Sequence, residues 1–274
     1  MGSQTQLRRL SVRLARDHGD LVAVQKLRWQ VFAAEMGANI PVSGPSAGGE
    51  SCIDSDPYDA LCDHLLVVDE DGCVEDGGAE DGGRGPLVVG TYRLLRESVA
   101  RKASGFYSEG EFDLSRLAGA RSGGGELLEL GRSCVLPAYR TSATISLLWR
   151  GIADYLALHD IGLMFGCASF PGIDPDAHAA ALSYLHHVCL APDYQRPAVL
   201  PGKGIALERL PRGSYDERRA LVQLPPLIKG YLRAGARFGD GAFVDREFNT
   251  IDVCVVMPVD LISERYAARF SVAA

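Results

Sequence analysis

The sequence of 274 residues lacks any apolar run long enough to cross a bilayer. Its first residues, "MGSQTQLRRLSVRLARDHGD", lack the apolar stretch of a secretory signal. The seven cysteines include no C-x-x-C pair, which argues against a disulfide framework and against a zinc site. His186 and His187 share a helical segment without a carboxylate-rich partner motif, so no metal is expected. These absences predict a cytoplasmic protein with reduced thiols.

The negative charge is concentrated in one segment. Of the net charge of −7, the stretch "DEDGCVEDGGAEDGGR" at 69–84 carries −6, from seven acidic residues and one Arg, which leaves −1 for the rest. A segment so acidic and rich in glycine cannot bury enough apolar surface to order itself. We predict a disordered hairpin insertion at 69–85 between two strands, with an acidic functional tail as the alternative. We expect no nucleic-acid partner.

Hydrophobic periodicity predicts one α/β (α+β) domain over 1–274, with a mixed sheet and helices on both faces. Hairpin-connected strands come first, and strands then alternate with helices. The predicted strands are 10–16, 64–68, 86–95, 126–136, 163–169, 204–210 and 245–260. The predicted helices are 19–36, 141–160, 174–188, 216–235 (split at Pro225 and Pro226) and 261–270.

One predicted strand carries charges in its middle. In "LLELGRSCVLPAYR" at 127–140, Glu129 and Arg132 interrupt a run of residues suited to a core. Three residues apart, they point to opposite faces of a regular strand, and a bulge near Gly131 would bring them closer. Buried charges are costly unless they are paired. The pattern therefore indicates either a structural ion pair or a cleft lined by opposite charges.

The start of the next helix offers donors for an anion. The segment "PAYRTSAT" places Arg140, Ser142 and Thr144 beside backbone N–H groups that have no partner within the helix. This pattern is typical of a phosphate site. An ordinary N-cap at Thr141 or Ser142 explains it equally well.

Two long stretches carry a resemblance to a known family. They are "ELGRSCVLPAYRTSATISLLWRGIADYLALHDIGLMFGCASFPG" and "LPPLIKGYLRAGARFGDGAFVDREFNTIDVCVVMPV", preceded by "LRWQVFAAEMG". They resemble the ornithine N-acyltransferases of the hemolysin-like branch of the GNAT superfamily. The resemblance covers roughly 10–270 apart from two loops. It implies a GNAT-like, mixed, mostly antiparallel twisted sheet.

The same positions are similar, more distantly, to acyl-homoserine lactone synthases. Those enzymes share an "R…VF" helix, an acidic loop, an Arg on the strand after the hairpin and an "E-x-x-R" strand. The matching residues here are Arg28 and Phe32, then Asp54, Asp56 and Asp59, then Arg93, and finally Glu129 with Arg132.

The resemblance implies transfer of a (3-hydroxy)acyl group from acyl carrier protein to the α-amine of L-ornithine. Glu129 is then the candidate base, directly or through a water. Arg132 is the candidate for holding the amino-acid carboxylate, with Arg28 and Arg93 as competitors. Asp56 and Asp59 either receive the side-chain ammonium or only cap their loop.

For the donor, the resemblance implies no permanently bound cofactor, only the phosphopantetheine arm of the carrier protein. Ala143 stands where GNAT proteins that use acetyl-CoA have the first glycine of their turn, which favours a single phosphate over a pyrophosphate. The expected donor contacts are Arg140, Ser142, Ala143 and Thr144, with an oxyanion N–H near Cys134 or Val135. Cys134 itself is interpreted as a small core residue.

Two rival functions stay open at this point. The first keeps the chemistry and changes the acceptor to lysine, glutamine or a homoserine-lactone-type amine. The second is a non-catalytic binding protein on the GNAT fold. The product of the acyl transfer would be amphipathic. It would suit peripheral association of the enzyme with the inner face of the membrane.

Overall fold

In the computed structural model of the chain, the described residues are 8–40, 52–72, 86–119, 121 and 124–262. The predicted terminal helix at 261–270 and most of the predicted insertion at 69–85 lie outside them. The strands on either side of that insertion pair with each other as an antiparallel hairpin, as predicted. All six described cysteines are free thiols.

The strands form one main sheet and one two-stranded ribbon. They are Leu10–Leu14 (β1), Asp63–Asp69 (β2), Leu87–Arg96 (β3), Phe112–Asp113 (β4), Glu126–Val135 (β5), Ile161–Pro171 (β6), Ala198–Val199 (β7), Gly204–Ile205 (β8), Arg237–Phe238 (β9), Ala242–Asp245 (β10) and Thr250–Pro258 (β11). The helices are His18–Trp29 (α1), Glu97–Ala100 (α2), Ser142–His159 (α3), Ala179–Cys189 (α4), Glu217–Gln223 (α5) and Pro226–Ala234 (α6).

The main sheet runs β1-β2-β3-β5-β6-β11-β10-β8, with β9 also paired to β11. Its neighbours are antiparallel except for β5 and β6, which are parallel. The predicted mixed, mostly antiparallel sheet is thus confirmed.

Alternation along the strands supplies a core on each face of the sheet. Val253, Val255 and Met257 pack with α3, α4 and α6, whereas Cys254 and Val256 pack on the opposite face. On that opposite face α1 covers the far end of the sheet. The prediction of helices on both faces is confirmed, and the sheet is shielded from water along most of its length.

Several element boundaries differ from the prediction. The predicted strand at 204–210 is only Gly204–Ile205, because the chain turns away after pairing with β10. The predicted helix 19–36 changes at Gln30–Glu35 into a π-helical turn, a feature frequent at functional sites. Helix α3 exposes Ile145, while Leu148, Ile152 and Tyr155 on the same helix are buried.

Candidate active site

A gap opens where β5 and β6 part. The two strands pair from Glu126 to Glu129 on β5 and from Ile161 to Phe165 on β6, and no further. Beyond that point, 130–135 pairs only with β3 and 166–171 only with β11. A cavity of about 900 Å³ lies in and around the gap and is lined from both faces of the sheet. Backbone groups on two strand edges are therefore left to face a ligand.

Gly166 lies at the point where the strands separate. A Cβ atom there would stand 2.1 Å from the carbonyl oxygen of Leu130 and 3.1 Å from its carbonyl carbon. No side-chain movement relieves a clash with backbone. Only glycine therefore lets β6 approach β5 so closely before diverging.

Glu129 is the last residue of β5 that pairs with β6. Its carboxylate accepts hydrogen bonds from the backbone N–H groups of Tyr107 (2.8 Å) and Ser108 (2.7 Å), and from the Ser108 hydroxyl. The side chain is buried at the wall of the cavity. Burial raises the pKa of Glu129, and the Ser108 and Tyr107 donors oppose that effect.

Arg132 lies in the predicted bulge. Gly131 pairs with Arg93 while Cys134 pairs with Thr91, and Arg132 takes a left-handed backbone with φ +49°. The bulge near Gly131 is confirmed. It aims the guanidinium over the Phe248 ring, 4.3 Å from its centroid, and into the cavity wall.

The acidic loop pairs with the three arginines in a buried network. Arg28 contacts Asp59 at 2.7 Å and Asp54 at 2.9 Å. Arg93 contacts Asp56 at 2.7 Å and Asp59 at 3.2 Å. The network is electrically matched, with three carboxylates to three guanidinium groups, because Arg132 joins it as the third cation.

This network bears on the predicted amino-acid site. Arg28 is 0% exposed and Asp59 only 5%, and neither lines the cavity. Asp56 also lies outside the lining, and Arg93 and Arg132 both neutralise its charge. The carboxylates expected to receive an ammonium already have guanidinium partners. The geometry supports the alternative reading, in which these aspartates fix their loop.

The start of α3 contributes less to the cavity than its sequence predicts. Arg140 and Ser142 line the cavity, and Arg140 holds both oxygens of Glu35 at 2.6 Å. Thr144 is fully buried and does not line the cavity, and the Thr141 side chain accepts its N–H and lies 3.2 Å from its hydroxyl. Ala143 is exposed and does not line the cavity. Thr141 is the N-cap of α3, as the alternative interpretation of this segment predicted.

Cys134 and Val135 both line the cavity, but their backbone N–H groups point in opposite directions. The N–H of Leu136 donates to Val89 on β3 at 2.9 Å. Successive residues of a strand present their N–H groups to opposite edges. The N–H of Val135 therefore points toward the gap, and that of Cys134 toward β3. Burial raises the pKa of the Cys134 thiol to about 12, as suits a core residue.

Sequence reasoning missed a second acidic cluster, formed by Glu111, Asp245 and Asp252. The three are buried, and each offers a carboxylate oxygen within 4.8 Å of the others. Asp245 and Asp252 line the cavity. Burial raises the pKa of Glu111 to about 8 and that of Asp252 to about 6. A charged residue inside the apolar run "NTIDVCVVMP" was the available signal, of the same kind that singled out Glu129.

Two side chains connect Glu129 with this cluster. The Ser108 hydroxyl, which donates to Glu129, lies 3.4 Å from the Cys167 sulfur. The Cys167 thiol in turn donates to Oε2 of Glu111 at 3.2 Å. A continuous polar path therefore joins the two buried acidic sites of the cavity. Burial and the charge of Glu111 raise the pKa of Cys167 well above its usual range.

No described helix combines the length and the hydropathy that a membrane crossing requires.

Comparison with known folds agrees with this architecture. Residues 27–150 match the family described as "Acetyltransferase (GNAT) domain". FeeM, an N-acyl amino acid synthase from uncultured soil microbes, superposes with a TM-score of 0.51 at 11% identity over 93% of this chain and 94% of its own. BjaI, a CoA-dependent acyl-homoserine lactone synthase, gives 0.50 at 12% identity over 97% and 92%. At such identities these likenesses establish the fold.

Sequence relatives are much closer. The L-ornithine N(alpha)-acyltransferase of Agrobacterium fabrum is 46% identical over 95% of this chain and 85% of its own length. Its counterpart in Rhizobium meliloti is 45% identical over 96% and 86%. The Rhodobacter capsulatus protein of the same name is 41% identical over 93% and 92%. Identity at this level across nearly the whole chain shows that it belongs to the family of L-ornithine N(alpha)-acyltransferases.

Proposed function

We propose that the protein transfers a (3-hydroxy)acyl group from acyl carrier protein to the α-amine of L-ornithine, giving a lyso-ornithine lipid. The observation that carries the proposal is Glu129, buried at the point where β5 and β6 part, on the wall of a cavity of about 900 Å³. Family membership supplies the acyl transfer and the ornithine acceptor. The carrier-protein donor is the finer part of the proposal.

The gap between β5 and β6 suits a thioester on an extended arm. A phosphopantetheine arm carries amide groups, which can pair with backbone on the open edges of 130–135 and 166–171. Arg140 and Ser142 lie at the wall near the start of α3, where a phosphate would bind. The apolar side chains of Ile145, Trp149 and Leu227 line the same cavity and suit an acyl chain.

The reaction forms one C–N bond and breaks one C–S bond. The neutral α-amine attacks the thioester carbonyl, and the tetrahedral oxyanion accepts the N–H of Val135. Collapse of the intermediate expels the pantetheine thiolate, which takes up a proton. Glu129 accepts the proton that the amine loses, directly or through a water, and its raised pKa favours this role.

Acyl transfer by the purified protein tests the proposal. The assay supplies 3-hydroxyacyl carrier protein with ornithine, lysine or glutamine and follows the lyso-lipid by mass. Glu129→Gln should lower kcat by roughly 10²- to 10⁴-fold, the usual contribution of a general base. Glu126→Gln is the matched control, since Glu126 lies on the same strand and also accepts a backbone N–H, from Ser98 at 2.8 Å.

Arg132→Ala, in the same assay, should raise the KM for ornithine, because its guanidinium lies at the cavity wall. Product with another amine in place of ornithine would keep the chemistry and replace the acceptor. Absence of product from every amine would reject the acyltransferase and favour a binding protein on this fold. Product from acyl-CoA together with no product from the acyl carrier protein thioester would reject acyl carrier protein as the donor.

A further inference from the structure

We propose that Asp245 and Asp252, which line the cavity, form with the buried Glu111 beside them the subsite that binds the side-chain ammonium of the acceptor amino acid. This inference rests on the proposed function and deepens it, because it names the residues that would distinguish a diamino acid from a neutral one. It replaces the aspartates of the 54–59 loop, which the arginine network occupies.

The charge balance of the cluster is the first argument. Three buried carboxylates place their oxygens within 4.8 Å of one another. Among the residues that the structure describes, no Lys, Arg or His side chain forms an ion pair with any of them. Burial, together with the repulsion between carboxylates at this distance, raises the pKa of Glu111 to about 8, and a bound cation would relieve the repulsion among the charged members. The cluster is therefore unlike the neighbouring Asp54 loop, where each carboxylate has its guanidinium.

Unused hydrogen-bonding atoms at the cavity wall are the second, independent argument. Within the described part of the chain, Oγ1 of Thr250 and Oδ1 of Asp252 are buried and make no hydrogen bond of good geometry, although the Ser169 and Thr250 side chains are near enough to oppose the rise that burial causes in the pKa of Asp252. Thr250 is 3% exposed and lines the cavity. Buried polar atoms in proteins are nearly always paired. An ammonium has three donors and no acceptor, which is the complement of a hydroxyl oxygen and carboxylate oxygens.

The position of the cluster relative to the gap is the third argument. Asp252 on β11 is opposite Ser169 on β6, so it lies one strand away from the β5–β6 gap. Neighbouring strands are about 4.8 Å apart, a distance that a side chain of three methylenes can span. An acceptor bound in the gap near Ser169 can thus place its terminal ammonium at Asp252. Glu129 on β5 lies opposite Phe165, four residues before Ser169 along β6.

The surroundings complete a site for a charged amino acid. Arg132, the candidate for the acceptor carboxylate, lies in the wall of the same cavity as Asp252. Its guanidinium is over the Tyr107 ring at 4.9 Å and the Phe248 ring at 4.3 Å. These rings offer apolar surface to the methylenes between the two charged ends of the acceptor.

The test compares L-ornithine with L-norvaline, which has the same carbon chain without the terminal amine. The proteins are the wild type, Glu111→Gln, Asp252→Asn and the control Asp193→Asn, whose carboxylate is 85% exposed. For the wild type and the control, kcat/KM should favour ornithine by at least roughly 100-fold, because a site built for a polar group rejects analogues that lack it. In Glu111→Gln and Asp252→Asn this preference should shrink to about tenfold or less, while norvaline keeps its rate within a few fold.

Equal loss with both acceptors would overturn the subsite, since it would indicate a role in the chemistry or in folding. An unchanged preference would overturn it as well. Activity that a chelator removes and a divalent cation restores would assign the carboxylates to a metal instead. Thermal melts check that both variants fold, since each amide keeps the shape of the carboxyl group that it replaces.

Ornithine binding measured by calorimetry without any acyl donor keeps the two proposals separable. Tight binding of ornithine over norvaline by the wild type, lost in Asp252→Asn, supports the subsite even if no acyl transfer is found. Acyl transfer to ornithine with an unaltered preference in Asp252→Asn would instead leave the proposed function standing and reject the subsite.

Discussion

Replacing Asp59 by Asn should destabilise the protein without changing how it binds ornithine. Asp59 accepts two hydrogen bonds from Arg28, at 2.7 and 2.8 Å, and contacts Arg93 at 3.2 Å. The amide keeps the shape and removes the charge, which leaves Arg28 fully buried with one carboxylate instead of two.

The magnitude follows from the burial of the pair. Removing one partner of a buried ion pair costs about 3–5 kcal/mol, a large part of a total stability of about 5–15 kcal/mol. For a chain of this size about 2–4 °C of Tm is lost per kcal/mol. Asp59→Asn should therefore lower the Tm by on the order of 10 °C. Asp193→Asn, at an exposed site, should change it little.

The pH dependence supplies a second signature. Burial raises the pKa of Asp59, but the hydrogen bonds and charge of Arg28 outweigh it and hold the pKa well below the usual range. A lowered folded-state pKa stabilises the protein above the pKa of the unfolded chain, and this stability is lost as the pH falls. The variant should therefore lose less stability than the wild type between about pH 5 and pH 3.

Urea unfolding of the wild type, Asp59→Asn, Arg28→Met and the double variant measures the coupling. The double variant should be more stable than the sum of the single losses predicts, by about 1–3 kcal/mol. A Tm unchanged in Asp59→Asn, together with a raised KM for ornithine, would refute the reasoning and return Asp59 to the acceptor site.

Three further outcomes are expected. Gly166→Ala should lower the free energy of unfolding by about 1–3 kcal/mol or more and abolish acyl transfer, because its Cβ would meet the Leu130 backbone. The control is Gly110→Ala, whose Cβ meets nothing within 4 Å. An active, stable Gly166→Ala would contradict the account of the gap. Wild-type stability should fall as the pH rises from about 4.5 through about 8, because burial and the charge of Asp252 raise the pKa of Glu111 to about 8 and the unfolded chain loses that proton first. At ~1.4 kcal/mol per pKa unit the loss of stability reaches several kcal/mol. Glu111→Gln should reduce this pH dependence when the free energy of unfolding is measured in urea at about pH 5.5 and about pH 8.5. The same pH dependence in the variant and the wild type would disprove the burial argument. Glu35→Gln should release Arg140 and so lower the KM for the acyl carrier protein about two- to fivefold, since a half-exposed ion pair contributes about 0.2–1 kcal/mol. An unchanged KM would show that Arg140 does not contact the donor.

The sequence by itself determined much of the local structure, whereas the gap between β5 and β6 appeared only in the structure. Alternation and turn residues place β1, β2, β3, β5 and β6 within a few residues, because half-buried strands must repeat with period two. The short strands β4, β7, β9 and β10 carry no such pattern and are not predicted. The charges of Glu129 and Arg132 within an apolar strand marked β5 as unusual, and glycine at 131 marked the bulge. Each of these inferences uses residues close together in the chain.

Which charges neutralise each other was decided only by the tertiary structure. Asp54 and Asp59 look like free ligands in the sequence, yet folding places them against Arg28 on α1. Glu111 and Asp252 are 141 positions apart in the sequence, and only the pairing of β11 with β6 and the packing of the Glu111 turn against Cys167 bring them together. Their raised pKa values come from burial, which is a property of the whole fold and is not encoded at either residue.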